Sequence, residues 1–231
     1  MKFDGVVFDL DHTLFDRYAT IRALTPMFCQ IFADKISKDF NTEAVADLLI
    51  ESDSKYIYHG WNRIFDELCE KGLFNLPLPP YERYRDCLLL LFQCHAVAFP
   101  FTHTVLSNLK SKGVKLGLIT NGKGYIQRRK LELLGIEGYF DHIIVCGEFG
   151  VQKPDRAPFD HMANVLDIPA EKLLFVGDNP VCDVDASRNA GYTPIEILTA
   201  QCKIPDIEPA QLQLKTVEEL PALIDRLQCS L

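Results

Sequence analysis

Five short apolar runs recur along the chain, at 4–9 (DGVVFD), 114–119 (VKLGLI), 142–146 (HIIVC), 173–177 (LLFVG) and 193–197 (TPIEI). Runs of this length bounded by turn residues read as strands, and Val6, Val7 and Phe8 read as a strand covered on both faces. Most are followed by a segment with helical spacing. Leu131, Leu133 and Leu134 close one such segment just before Gly135, a helix stop. Phe159, Met162, Ala163 and Leu166 form an i, i+3, i+4, i+7 stripe in another. Strand–helix alternation of this kind predicts an α/β fold, a parallel sheet with helices on both faces. Ligands in such sheets bind beyond the carboxyl ends of the strands.

The second strand does not arrive until residue 114. The stretch before it shows no period-two alternation, and its apolar positions predict helices over 18–36, 42–58, 60–71 and 81–97, with breaks at LFNLPLPPY and at Pro100. A structureless loop of that length does not belong in a compact domain. The expected organisation is therefore an α/β core domain, residues 1–16 and 98–231, carrying an α-helical cap domain over 17–97. The cap would sit above the carboxyl end of the sheet. The LLLLF run at 88–92 reads as a buried helix of that domain. Tyr56, Tyr58, Trp61 and Phe65 read first as its core and second as a substrate-lining face.

Composition narrows the class without changing this picture. The 231 residues are 48% hydrophobic and 24% charged, an ordinary globular balance. A net charge of −8 argues against a nucleic-acid polymer as partner. The eight cysteines form no CxxC pair and no Cys/His cluster at zinc spacing. They read as reduced, packed thiols. Asp4, Asp9 and Asp11 interrupt any apolar signal-peptide core, and no uncharged apolar stretch approaches the ~18 residues of a membrane helix. The expectation is a cytoplasmic monomer or homodimer with no membrane contact.

Chemistry gathers at four strand ends. The first run ends in Asp9-Leu10-Asp11-His12-Thr13, two carboxylates two residues apart that repel each other in any poorly hydrated place. The others end in Thr120-Asn121-Gly122, in a loop carrying Lys153, and in Asp178 with Asp183 beyond it. These residue types suit phosphoryl transfer. An oxygen-preferring divalent cation, Mg²⁺ before others, would neutralise Asp9 and Asp178. One carboxylate can act as nucleophile and the other can exchange a proton with leaving group and water. Thr120, the backbone after it and Lys153 would receive the phosphoryl oxygens.

The four segments, in this order, resemble the haloacid dehalogenase (HAD) superfamily of aspartate-nucleophile hydrolases. The likeness covers residues 1–16 and about 100–200. The helical insert resembles the superfamily's small C1-type cap. The string from LGLITNG to VQKPD is similar to a branch that includes pyrimidine 5′-nucleotidases and other small-molecule phosphatases. The resemblance implies a Rossmann-like core and assigns Asp9 as nucleophile. It assigns Asp11 as general acid/base, its main-chain carbonyl a metal ligand, and Thr120 as the phosphate-binding hydroxyl with Asn121 beside it. Lys153 becomes the lysine that steadies nucleophile and phosphate, and Asp178 a direct metal ligand. Asp183 fits the second acid of a GDxxxxD form, reaching the metal through water or orienting Lys153.

The function so implied is a Mg²⁺-dependent phosphatase acting on a small phosphorylated metabolite, a nucleotide or sugar phosphate, through an aspartyl-phosphate. A phosphomutase could use the same Asp9 and Asp11 if the cap excluded water. A 2-haloacid dehalogenase fits less well, because halide leaves without an acid and the family's dehalogenases lack an aspartate at the place of Asp11. A non-catalytic binding protein fits poorly with an intact acid pair. His12 reads as a loop residue facing the cap, and the other five histidines show no ligand spacing. Arg128, Arg129 and Lys130 read as a solvated helix face, from which one member could approach the substrate rim.

Overall fold

The structure is a computed structural model that describes residues 3–56, 59–198 and 207–229. It divides into two compact units: the described residues of Met1–Asp16, Ala98–Thr199 and Lys203–Leu231 in one, and those of Arg17–Val97 in the other.

The first unit is built on six parallel strands: β1 (Gly5–Phe8), β2 (Lys115–Thr120), β3 (His142–Val145), β4 (Leu173–Gly177), β5 (Thr193–Ile197) and β6 (Leu212–Leu214). Their order across the sheet is β3-β2-β1-β4-β5-β6. The chain winds outward from β1 in one direction and from β4 in the other. The carboxyl ends of β1 and β4 therefore flank the point where the winding reverses, which is where an open parallel sheet leaves a crevice. Register brings Phe8 level with Leu118 and Val176, so residues 9–10, 120 and 178 emerge on neighbouring strands at about one height.

The short helices of this unit are α5 to α10 in a count that starts in the other unit, whose four helices are α1 (Arg17–Ile31), α2 (Thr42–Tyr56), α3 (Trp61–Glu70) and α4 (Tyr81–Cys94). They are α5 (Thr102–Ser111), α6 (Gly124–Leu134), α7 (Cys146–Phe149), α8 (Ala157–Leu166), α9 (Ala186–Asn189) and α10 (Leu220–Cys229). The stripe Phe159, Met162 and Leu166 of α8 is buried against Val7, Ile119, Ile144 and Phe175 of the sheet. Gly117 in the middle of β2 is part of that fit, since a Cβ there would come within 2.6 Å of the Met162 sulfur. Tyr192 closes the same core by donating its hydroxyl to the Phe159 carbonyl at 2.8 Å. Gly135 ends α6 in the left-handed conformation, φ 64°, as its position predicted.

The strand reading missed β6, three residues that add to the sheet edge beside β5. The helical unit follows the predicted segments with shorter ends. The first helix was expected to reach residue 36 but stops at Ile31. Ile36 instead pairs with Phe74, with Ser37 N–H donating to Leu73 O at 2.9 Å and Asn75 N–H to Lys35 O at 2.7 Å. The last helix stops at Cys94, and Val97 N–H donates to the Thr20 hydroxyl at 3.0 Å. Aromatic rings make the core: Phe28 packs on Phe32 and Tyr84, and Phe65 on Phe74, Tyr81 and Tyr84. Trp61 stacks on Phe92, and the Tyr56 hydroxyl donates to Glu67. Tyr58 lies outside the described residues. Leu88, Leu91 and Phe92 are buried as expected, whereas Leu90 faces out.

Candidate active site

The site is assembled at the carboxyl ends of the strands from residues far apart in the chain. Asp9 extends β1 by one step, its N–H donating to Val176 O at 2.9 Å. The next residues curl back, with Thr13, Leu14 and Phe15 N–H all directed at Leu10 O. His12 takes a left-handed backbone, φ 60°, and is buried in this curl. The curl sends the carboxylates of Asp9 and Asp11 to different partners. Asp9 Oδ1 accepts from Lys153 Nζ at 2.7 Å. Asp11 Oδ1 accepts from Lys130 Nζ at 2.5 Å, and Asp11 Oδ2 from Gln127 Nε2 at 2.9 Å. Each of the two repelling carboxylates thus has its own lysine.

Lys153 is buried and bridges two acids, donating to Asp183 Oδ1 at 2.6 Å as well as to Asp9. Its main chain is clamped by Asn121, whose Nδ2 donates to Lys153 O and whose Oδ1 accepts from Lys153 N–H, both at 2.9 Å. The sequence reading placed Asn121 among the substrate-binding residues. In the structure its side-chain amide pairs with the backbone N–H and C=O of the single residue Lys153. Thr120 closes β2 with a buried hydroxyl that accepts from Gln127 Nε2 at 2.6 Å.

Asp178 and Asp183 come from the end of β4 and the turn of π-helix that follows it, Pro180–Asp185. Asn179 starts that turn by accepting from Val181 and Cys182 N–H at 2.9 and 2.8 Å. Asp183 Oδ2 accepts from Asn179 N–H at 3.0 Å. Gly177 is required here, because a Cβ on it would run into the Asp183 carboxylate.

Carboxylate oxygens of Asp9, Asp178 and Asp183 lie within 4.8 Å of one another, and all three residues are buried. Burial, with the charges of Asp183 and Asp11, pushes the Asp9 carboxyl up to about 7 against the pull of Lys153. Burial, then Asp183 and Asp9, raises Asp178 well above the carboxylate range. Burial works against the Lys153 ammonium, but Asp183 and Asp9 outweigh it and keep it protonated. Three buried acids therefore crowd together while the one ammonium of Lys153 pairs with two of them, Asp9 and Asp183, so the fully ionised cluster carries a negative surplus. A hard divalent cation with oxygen ligands fits that donor set and that deficit. No histidine or cysteine joins the cluster among the described residues.

Two residues of this network escaped the sequence reading. The sequence groups Lys130 with Arg128 and Arg129 on a solvated face, from which one member could approach the substrate rim, without saying which. Those two do pair near the surface, with Glu148 and Glu132, but Lys130 is buried. Gln127 was not singled out at all. The signal was present in the apolar stripe of α6: Leu131 and Leu134, continued one turn back at the same spacing, lead to Gln127 and Lys130. A polar residue on a buried stripe needs a polar partner, and here the partners are Asp11 and Thr120.

Comparison with known proteins gives the family and the fold. Residues 6–197 match the family model described as haloacid dehalogenase-like hydrolase. The chain is 28% identical over 233 residues to a glyceraldehyde 3-phosphate phosphatase of Methanocaldococcus jannaschii, covering 96% of this chain and 95% of that protein. It is 26% identical over 241 residues to the N-acylneuraminate-9-phosphatase of Homo sapiens, covering 97% and 95%. The fold also matches the L-2-haloacid dehalogenase of Xanthobacter autotrophicus, with a TM-score of 0.68 at 16% identity, covering 96% of this chain and 98% of that one. Among the described residues no helix is long and apolar enough to cross a membrane.

Proposed function

The chain belongs to the haloacid dehalogenase-like hydrolases, and from that premise we propose that it is a phosphatase cleaving a small phosphomonoester through an aspartyl-phosphate at Asp9. The observation that carries this reading is the buried cluster of Asp9, Asp178 and Asp183, in which Lys153 pairs with Asp9 and Asp183 and a carboxylate oxygen of Asp178 lies within 4.8 Å of theirs. A dry site with surplus carboxylate suits a cation and a nucleophile, not a salt bridge kept for stability.

Mg²⁺ would be held by Asp9, Asp178 and the main-chain carbonyl of Asp11, and when bound it supplies positive charge to the phosphoryl oxygens. The chain's own residues do the rest. Lys153 holds the Asp9 carboxylate in one orientation. An Asp9 oxygen attacks phosphorus, the bond from phosphorus to the ester oxygen breaks, and Asp11 gives its proton to that departing oxygen. Water then attacks the phosphorus of the aspartyl-phosphate and Asp11 takes its proton. The bond from phosphorus to Asp9 breaks, restoring the carboxylate and releasing inorganic phosphate. The Thr120 hydroxyl and the Lys153 ammonium receive the phosphoryl oxygens.

The two phosphatases reported above are named for glyceraldehyde 3-phosphate and for an N-acylneuraminate 9-phosphate. The substrate class proposed here is likewise a sugar or nucleotide phosphate esterified at an alcohol. An alkoxide is a poor leaving group, and Asp11 answers that need. The test offers purified protein with Mg²⁺ a panel of phosphorylated metabolites, nucleotides included, and follows phosphate release with and without EDTA. EDTA-sensitive release from at least one alkyl phosphate is expected. Halide release from 2-chloropropionate in its place, isomerisation without free phosphate, or no turnover at all would overturn the reading.

A further inference from the structure

We propose that Gln127 and Lys130 on α6 are positioning residues that fix Asp11 as the proton donor to the leaving group and tie it to Thr120. This rests on the phosphatase reading given above.

Four contacts carry the inference. Lys130 Nζ meets Asp11 Oδ1 at 2.5 Å, and Gln127 Nε2 meets Asp11 Oδ2 at 2.9 Å, so each carboxylate oxygen has its own donor from one helix face. The same Gln127 nitrogen meets Thr120 Oγ1 at 2.6 Å. A primary amide nitrogen carries two hydrogens, and these two acceptors use both. The Lys130 ammonium lies 4.6 Å from the centre of the Phe15 ring. Phe15 is itself buried, with its N–H on Leu10 O, so the flexible lysine stem is pinned at its tip.

The consequence is mechanical. A free aspartate side chain turns about two bonds, and a proton donor that wanders by an ångström loses much of its effect. Donors on both oxygens fix the plane of the Asp11 carboxyl. The Thr120 hydroxyl accepts from Gln127 at 2.6 Å and donates to Asn121 O at 3.3 Å, a long contact that a phosphoryl oxygen would replace. Helix α6 thereby couples the group that grips phosphate to the group that handles the proton.

A plain structural staple would have the same contacts, so the test must separate the two roles. A staple supports all substrates alike. A positioner of the acid matters only where the leaving group needs a proton. The readout is kcat/KM, which extends through departure of the leaving group and leaves out hydrolysis of the aspartyl-phosphate. It is measured for an alkyl phosphate found in the substrate panel and for 2,4-dinitrophenyl phosphate, whose leaving group departs unprotonated.

Lys130→Met should lower kcat/KM on the alkyl phosphate about 30- to 100-fold and on the dinitrophenyl ester no more than about 3-fold, within the range of general acid catalysis. Asp11→Asn should show the same contrast more strongly. Gln127→Met removes only hydrogen bonds from an uncharged side chain. It should show the contrast too, at about 10-fold, and it carries the test if Lys130→Met does not fold by thermal melting. Equal losses on both esters, or no loss on the alkyl ester, would overturn the proposal while Asp11→Asn behaves as stated. Absence of the contrast in Asp11→Asn itself, or of any turnover in the wild type, would overturn the phosphatase reading and this inference with it.

Discussion

The two units treat buried charge in opposite ways. In the helical unit Arg17 and Asp53 form a two-pronged pair, Nε to Oδ2 at 2.8 Å and Nη2 to Oδ1 at 2.7 Å, with the guanidinium 4.9 Å from the centre of the Phe92 ring. Glu67 is matched in the same manner by Lys55 on both oxygens and by the Tyr56 hydroxyl. At the strand ends of the sheet unit three carboxylates gather within 4.8 Å of one another, and the ammonium of Lys153 pairs with only two of them, Asp9 and Asp183. The cancelled charges of the helical unit can be removed together with little consequence, and they serve the fold. Charges left in surplus destabilise the fold unless a counter-charge binds, and they mark a site.

The largest break in that contrast comes from Asp9. Asp9→Asn removes the nucleophile and should lower turnover at least ~10⁴-fold, about 5.5 kcal/mol in barrier. It should leave the melting temperature of the metal-free protein equal or higher, because it relieves a like-charge crowd. Phosphate release and a thermal melt on the same sample check both halves. Turnover within tenfold of wild type would sink the assignment.

The helical unit should answer differently. Arg17→Met leaves Asp53 buried without its guanidinium and is expected to cost about 3–5 kcal/mol. Adding Asp53→Leu removes the stranded charge, and most of that loss should return. Urea midpoints for the single and double variants give the coupling. If the double variant is as unstable as the single one, the pair is more than a cancelled charge, and the contrast between the units weakens.

These residues also show how far the chain could be read before its structure. Asp9, Thr120, Lys153 and Asp178 each follow an apolar run, and a parallel sheet must bring such positions to one edge. That is why they converge. Leu212–Leu214 is too short to display a pattern, and it is a strand only because β5 offers an edge. Ile36 left its helix for Phe74, a partner 38 positions away that no local periodicity reveals. Lys130 was hidden by its neighbours: in Arg128-Arg129-Lys130 the charge is uniform, and only the angle around the helix separates the buried residue from the exposed ones. The partner of the Asn121 side chain was not legible either, since nothing in a sequence says that an amide will turn to the backbone of a residue 32 positions on.

The smallest expected effect sharpens the comparison through pH. Raised to about 7, the Asp9 carboxyl holds a proton in the folded, metal-free protein that the unfolded chain releases near the ordinary 3.8. The folded state therefore binds more protons between those values, and this group makes the metal-free protein less stable as pH rises towards 7. Mg²⁺ reverses the sign, because it needs the ionised carboxylate and competes with the proton. Lys153 stays protonated across this window and adds no slope. At a concentration about 100 times its Kd, Mg²⁺ should stabilise the protein by about 2.7 kcal/mol above pH 7. Each pH unit below 7 should weaken binding up to about tenfold and remove up to ~1.4 kcal/mol of that gain. The quantity to measure is the gap between melting temperatures in Mg²⁺ and in EDTA from pH 5.5 to 8. It should widen as pH rises through 7 and collapse at every pH in Asp178→Asn. A gap that ignores pH, or survives in Asp178→Asn, would mean that the surplus carboxylates are not what the cation meets.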